Sequence, residues 1–208
     1  MTHTVSPPAD PPTGPAPSVF DVIYADPPWR YDFSKSDNRE IERHYPTMEH
    51  AEICALDVPA AQNAVLFLWG VAPKLPEALE VISAWGFQYR TGAIWDKEIV
   101  GMGYWFRGQH EHLLVGVKGT WPPPPQPLRV SSVYRQARGR HSKKPDIVRQ
   151  QIATWWPDAR RLEMFCRYPA PGWHVWGNQV DSSVADLPFE RFDPHTDPAQ
   201  DSLFGGVA

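Results

Sequence analysis

The apolar positions of this chain follow two periods. Residues 18–25 and 64–69 are near-continuous apolar runs, the pattern of strands buried on both faces. Residues 87–95, 109–117, 161–166 and 172–179 read as four further strands, the last with a turn. Elsewhere the spacing changes to three and four. Leu75, Leu79, Ile82 and Trp85 line one side of a helix that opens near Pro73 or Pro76 and stops at Gly86. Ile147, Val148 and Ile152 form the apolar side of a helix running from Pro145 to about residue 156. Thr47 can cap a short helix through about residue 56, with Glu49 and Glu52 in its early turns. Strands alternating with helices predict an α/β fold, one sheet with helices on both faces.

Composition then divides the chain. Residues 1–17 are rich in Pro, Thr and Ala and are expected to be disordered. Residues 18–181 hold the periodic pattern and form one domain. Residues 182–208 read as an acidic, flexible tail, where Asp186, Glu190, Asp193, Asp197 and Asp201 face only Arg191. Within the domain, residues 30–44 are polar and read as a loop over a strand edge, and residues 101–108 as a loop of glycines and aromatics. Residues 121–127 carry too many prolines for a central strand. Cys54 and Cys166 form no C-x-x-C pair, which suggests reduced thiols. No run is long and apolar enough to span a membrane and no signal peptide is seen, so a cytoplasmic protein is expected. The net charge of −4 argues against coating nucleic acid non-specifically, but it leaves room for a local basic face. One segment supplies it: Arg129, Arg135, Arg138, Arg140, Lys143 and Lys144, with no acid among them. It reads equally as a phosphate-contacting side or as a solvated basic loop.

The richest chemistry follows the first strand, at Asp26-Pro27-Pro28-Trp29. The prolines end strand pairing and fix the backbone, so the motif caps the carboxyl end of a strand, where open α/β sheets bind ligands. The Asp26 carboxylate and the Pro27 carbonyl can both accept hydrogen bonds from an amino group, and Trp29 offers a face for a flat ring. The plainer alternative is a strand exit with a buried Trp.

Other landmarks follow in order: Tyr45-x-x-Met48, Leu68-Trp69, Trp85-Gly86-Phe87, Gly116-Val-Lys-Gly119, His141-Ser-Lys-Lys-Pro145, Arg161-Leu-Glu-Met-Phe165, and Trp176-Gly-Asn-Gln179. From about Val19 to Asp181 the ordered set resembles the S-adenosylmethionine-dependent N6-adenine methyltransferases related to the mRNA N6-adenosine writer. The resemblance implies a Rossmann-like methyltransferase sheet in permuted order, with the catalytic motif before the cofactor motif. It implies catalytic roles for Asp26, Pro27, Pro28, Trp29 and Tyr45. It implies that Lys144 meets the cofactor carboxylate, and that Asp26, Glu163, Arg167, Asn178 and Gln179 surround the rest of the cofactor. The family sets an acid and a histidine beside the substrate loop, matching Glu111 and its neighbours, which makes Trp105 and Arg107 candidates for nucleic-acid contact; core packing is the alternative for Trp105. The proline-rich segment before the first strand departs from the family, because only Asp10 stands where an acid contacts the cofactor adenine.

The expected reaction is methyl transfer to the N6 amino group of adenine in DNA. An RNA adenosine methyltransferase and a catalytically silent nucleic-acid-binding subunit are the alternatives. His110 and His112 share a strand face, but no third ligand supports a metal there. Gln200-Asp-Ser-Leu-Phe204 resembles the peptide that docks replication proteins on a sliding clamp, with Leu203 and Phe204 as apolar anchors and Gln200 at the pocket rim.

Overall fold

The computed structural model describes residue 16 and residues 18–30, 47–139 and 143–184. Seven strands form one sheet in the order β5-β3-β4-β2-β1-β6-β7. They are β1 (Phe20–Ala25), β2 (Ala60–Gly70), β3 (Gln88–Asp96), β4 (His110–Lys118), β5 (Val133–Arg135), β6 (Arg161–Met164) and β7 (His174–Trp176). β1 pairs in parallel with β2 and β6, β6 with β7, and β3 with β5. β4 runs antiparallel to both its neighbours, β2 and β3. The start of β4 therefore lies at the same edge as the ends of β1, β2 and β3. His110 stands opposite Asp96 and His112 opposite Gly70.

The period of two sorts the core. Ile23 and Ala25 of β1 join Leu66 and Leu68 of β2 on one face, under Ile53 of α1 (His50–Cys54) and Ala78, Val81 and Ile82 of α2 (Leu75–Ala84). Val22, Tyr24, Val65, Phe67 and Trp69 point the other way, toward Val148 and Ile152 of α3 (Asp146–Trp155). Helices thus cover both faces, as the alternating pattern predicts. Trp69, Trp95 and Trp176 are among the largest fully buried side chains. Burying side chains of this kind contributes roughly 2–3 kcal/mol each, which makes the centre of the sheet a rigid base.

Four local expectations change. β2 starts earlier than its apolar run, because the half-buried Ala60 pairs with Phe20 of β1. α1 is shorter than expected and is capped by Glu49 in a reciprocal box with Glu52, so Thr47 is not the cap. In α3, Ile147 is 50% exposed, whereas Arg149 is 8% exposed and takes the inward place beside Val148. β5 arises inside the basic segment, where no strand was expected, and its Val133 and Tyr134 pair with Ile94 and Trp95.

Tyr45, Arg140, residues 1–15, and the tail from 185 onward with Gln200, Leu203 and Phe204 lie outside the described residues.

Candidate active site

Asp26 leaves the end of β1 and meets Lys144, whose Nζ lies 2.5 Å from Asp26 Oδ2. The same ammonium is 3.3 Å from Glu111 Oε2, and Glu111 Oε1 is 2.7 Å from Lys97 Nζ. Lys144 also sits over the Trp69 ring, 5.7 Å from its centroid. Four alternating charges thus run along the carboxyl edge, contributed by β1, β4, the end of β3 and the segment before α3. The antiparallel course of β4 is what brings Glu111 there.

Burial sets the electrostatics. Desolvation pushes the Asp26 carboxyl above the usual carboxylate range; Lys144 opposes that shift, while the nearby Glu111 adds to it. Desolvation works against the Lys144 ammonium, but Asp26 and Glu111 outweigh it and raise its pKa. Burial would raise Glu111 too, yet Lys144 and Lys97 hold it below its ordinary value.

A second pair lies beside this row. Arg149 of α3 donates to Glu163 at 2.6 Å and to the Tyr168 carbonyl at 2.8 Å, and it also contacts Asp146. Desolvation raises the pKa of Glu163, with Arg149 pulling it back. Just after β6, Phe165 has a φ of +60°, the left-handed region that non-glycine residues seldom occupy. This turn directs Cys166 under Trp176, whose carbonyl accepts the Cys166 N–H at 2.9 Å.

Asp26, Lys144, Glu163 and Arg167 line one cleft of about 30 Å³, together with Lys143 and Tyr168. Lys143 Nζ lies 5.7 Å from the Tyr168 ring. The donor set fits S-adenosylmethionine: a cation for the methionine carboxylate, and buried acceptors for ribose hydroxyls. Ligand pockets are usually about 300 Å³ or more, so the cleft must widen to admit a nucleoside. Asn178 is half-buried and Gln179 exposed in the turn after β7, and neither lines this cleft. A wider cleft of about 680 Å³ lies on the α3 face toward the other end of β4, lined by Val65, Val117, Trp121 and Trp156 among others. The Trp121 indole N–H has no partner there.

Three sequence expectations are corrected. Trp29 is 7% exposed, sits in the core and donates its indole N–H to the Trp69 carbonyl at 3.2 Å. The buried alternative therefore holds and its ring face is not open. Glu111 is 8% exposed and held between two lysines, so it does not face nucleic acid. Arg129 donates to the Pro124 carbonyl at 3.1 Å and lines the wider cleft, at the opposite end of β5 from Arg135. Pro27 keeps its place in the turn, where its carbonyl accepts the Trp29 N–H at 2.9 Å and retains a second lone pair. The Pro28 carbonyl accepts the Met48 N–H at 2.9 Å and ties the turn to the segment before α1.

Trp105 and Arg107 stand on the β3–β4 loop. Trp105 is 95% exposed, which excludes core packing, and Arg107 Nε donates to the Gly101 carbonyl at 2.6 Å. Arg135 and Arg138 are exposed beside the end of β3. Sequence reasoning missed Lys97 and Arg149. A hint of Arg149 was present in its i, i+3 spacing from Asp146 and its place between Val148 and Ile152.

A sheet with one reversed strand and an acid–lysine pair at the carboxyl end of β1 fit a Rossmann-like methyltransferase. The MT-A70 family profile matches residues 20–179, and the chain belongs to that family of S-adenosylmethionine-dependent enzymes. It is 34% identical over 189 residues to the type II methyltransferase M.MunI of a Mycoplasma species, covering 81% of each chain. It is 31% identical to the N(6)-adenosine-methyltransferase MT-A70-like protein of Arabidopsis thaliana over 78% of this chain and 24% of that one. For the human N(6)-adenosine-methyltransferase catalytic subunit METTL3 the identity is 31%, over 78% and 28%. The chain spans about a quarter of those two eukaryotic relatives.

Proposed function

We propose that this protein transfers a methyl group from S-adenosylmethionine to the N6 amino group of adenine in DNA. The observation that carries the reading is the Asp26 carboxylate, fixed at the end of a buried strand and still 25% exposed beside the cleft. The adenine amine is a weak nucleophile because its lone pair is delocalised into the ring. Asp26 and the free lone pair of the Pro27 carbonyl accept its two hydrogens and draw the nitrogen toward tetrahedral geometry. Bound S-adenosylmethionine supplies an electrophilic methyl group that needs no metal. Positive charge developing on the amine nitrogen then sits against the Asp26 carboxylate. Lys144 holds the cofactor carboxylate, and Glu111 and Lys97 keep Lys144 in place. Glu163 and Arg167 serve the cofactor ribose from within the cleft, and Asn178 and Gln179, which lie outside it, are proposed to reach the cofactor adenine once it widens.

DNA is favoured because the relative matched over four-fifths of both chains is a type II methyltransferase. The names of the eukaryotic relatives favour RNA as the second reading. Arg107, Arg135, Arg138 and Trp105 form the nucleic-acid side, and the work is placed in the cytoplasm. No helix among the described residues is long and apolar enough to cross a membrane. The Gln200–Phe204 segment is proposed as a clamp-docking peptide, which loss of clamp binding on deleting the tail would support.

The deciding experiment is mass spectrometry of nucleosides from DNA and RNA exposed to the protein with S-adenosylmethionine. N6-methyl-2′-deoxyadenosine supports the DNA reading, and N6-methyladenosine alone supports RNA. Folded Asp26→Ala is expected to lose about 100-fold or more in turnover; full retention would overturn the assignment of Asp26.

A further inference from the structure

Tyr104, Trp105 and Phe106 are 98%, 95% and 89% exposed. Three neighbouring aromatic rings left in water are costly, and such exposure marks a contact surface. The loop that carries them is closed on itself. Gly101 N–H donates to the Gly108 carbonyl at 2.8 Å, Gly108 N–H to the Met102 carbonyl at 3.1 Å, and Arg107 Nε to the Gly101 carbonyl at 2.6 Å. A Cβ on Gly103 would lie 1.9 Å from the Phe106 carbonyl oxygen, so the turn that lifts the rings requires glycine there.

The loop is rooted on the reactive edge. Lys97 N–H donates to the Gln109 carbonyl at 2.8 Å at the loop's neck. Lys97 then leads through Glu111 and Lys144 to Asp26 in contacts of 2.7, 3.3 and 2.5 Å. Cations flank the neck, because Arg138 N–H donates to the Lys97 carbonyl at 3.3 Å and Gln136 N–H to the Asp96 carbonyl at 3.1 Å. These bonds hold Arg135 and Arg138 beside the loop, both exposed. Aromatic rings bordered by arginines fit a polyanion with stacked bases.

We infer that this tip is a wedge that enters the base stack of duplex DNA where the target adenine is turned out. The inference rests on the DNA reading above. An adenine inside a duplex cannot present its amino group to Asp26, so it must leave the stack, and the gap it leaves is one ring thick. Trp29 is buried and cannot fill that gap. The tip supplies rings at the right edge, while the flanking arginines hold the phosphates on either side. Single strands have no closed stack and need no wedge. Trp105 is thus a positioning residue for extrusion.

The test compares methyl transfer to native and heat-denatured plasmid DNA, using tritiated S-adenosylmethionine with the wild type, Trp105→Ala, Tyr104→Ala and Trp105→Phe. Each ring is almost fully exposed, so unchanged thermal unfolding confirms that the variants fold. The wild type is expected to methylate native DNA. Trp105→Ala is expected to lower the native-to-denatured activity ratio about 10-fold or more, and Trp105→Phe to restore most of it. An unchanged ratio in both alanine variants overturns the wedge, as does a wild type confined to denatured DNA. A wild type that labels neither form of DNA overturns the DNA reading itself, a separate failure.

Discussion

Arg149 shows how much one residue carries at this site. It is buried, and it neutralises Glu163 at the end of β6 while also touching Asp146. Removing one partner of such a pair leaves a buried charge unopposed, so Arg149→Ala is expected to cost about 3–5 kcal/mol at neutral pH. The pH dependence has a definite sign. Desolvation already holds the folded-state pKa of Glu163 above its ordinary value, and loss of Arg149 raises it further. An acid raised in the folded state favours folding at low pH and loses that contribution as pH rises through the raised value. The deficit of Arg149→Ala should therefore be small in acid and largest at neutral pH and above. Adding Glu163→Gln should remove much of the difference. Urea unfolding of both variants at mildly acidic and neutral pH checks this. Sequence reasoning missed Arg149 because its partner Glu163 lies on another element, fourteen residues on, and only the fold brings the two together.

At the level of elements, legibility followed burial. β1 and β2 were readable because strands packed on both faces leave unbroken apolar runs, and α2 because its spacing and its stop at Gly86 agree. That stop gives a clean test. Gly86 has a φ of +79°, and an added Cβ would meet nothing closer than Lys118 Cε at 3.8 Å. Gly86→Ala therefore meets backbone strain without a clash, and it should lower stability by about 1–2 kcal/mol in denaturant unfolding. A much larger loss would mean the helix end moves. β5 was not readable, since three residues are too few to show a period of two. The reversed direction of β4 also left no mark on the sequence. The family resemblance set Glu111 beside the substrate loop, and the antiparallel course seats it against Lys144. The catalytic turn itself was legible as a motif, but the fate of Trp29 was not. Whether its ring faced a ligand or the core depended on Trp69, forty residues away in sequence.

For the whole molecule the puzzle is charge. A chain of net charge −4 must approach a polyanion, so attraction has to be local. The sheet divides the basic segment. Arg135 pairs opposite Asp96 at the carboxyl edge and is 75% exposed, and Arg138 follows it. Arg129 lies beyond the other end of β5, where its Nε donates to the Pro124 carbonyl and its side chain borders the wider cleft, away from the carboxyl edge. The two ends should therefore behave differently in a salt titration. Each phosphate contact adds about one unit to the slope of log affinity against log salt concentration. Arg138→Ala is expected to reduce that slope by about 1 and to weaken binding alike for unrelated DNA sequences. Arg135→Ala should do the same, less the part its side chain gives to Asp96, 3.9 Å away. Arg129→Ala should leave the slope unchanged. Fluorescence anisotropy of a labelled duplex across about 50–200 mM salt reads all three. Equal losses at Arg129 and Arg138 would show that DNA wraps the whole segment, and the carboxyl edge would then not be the docking face.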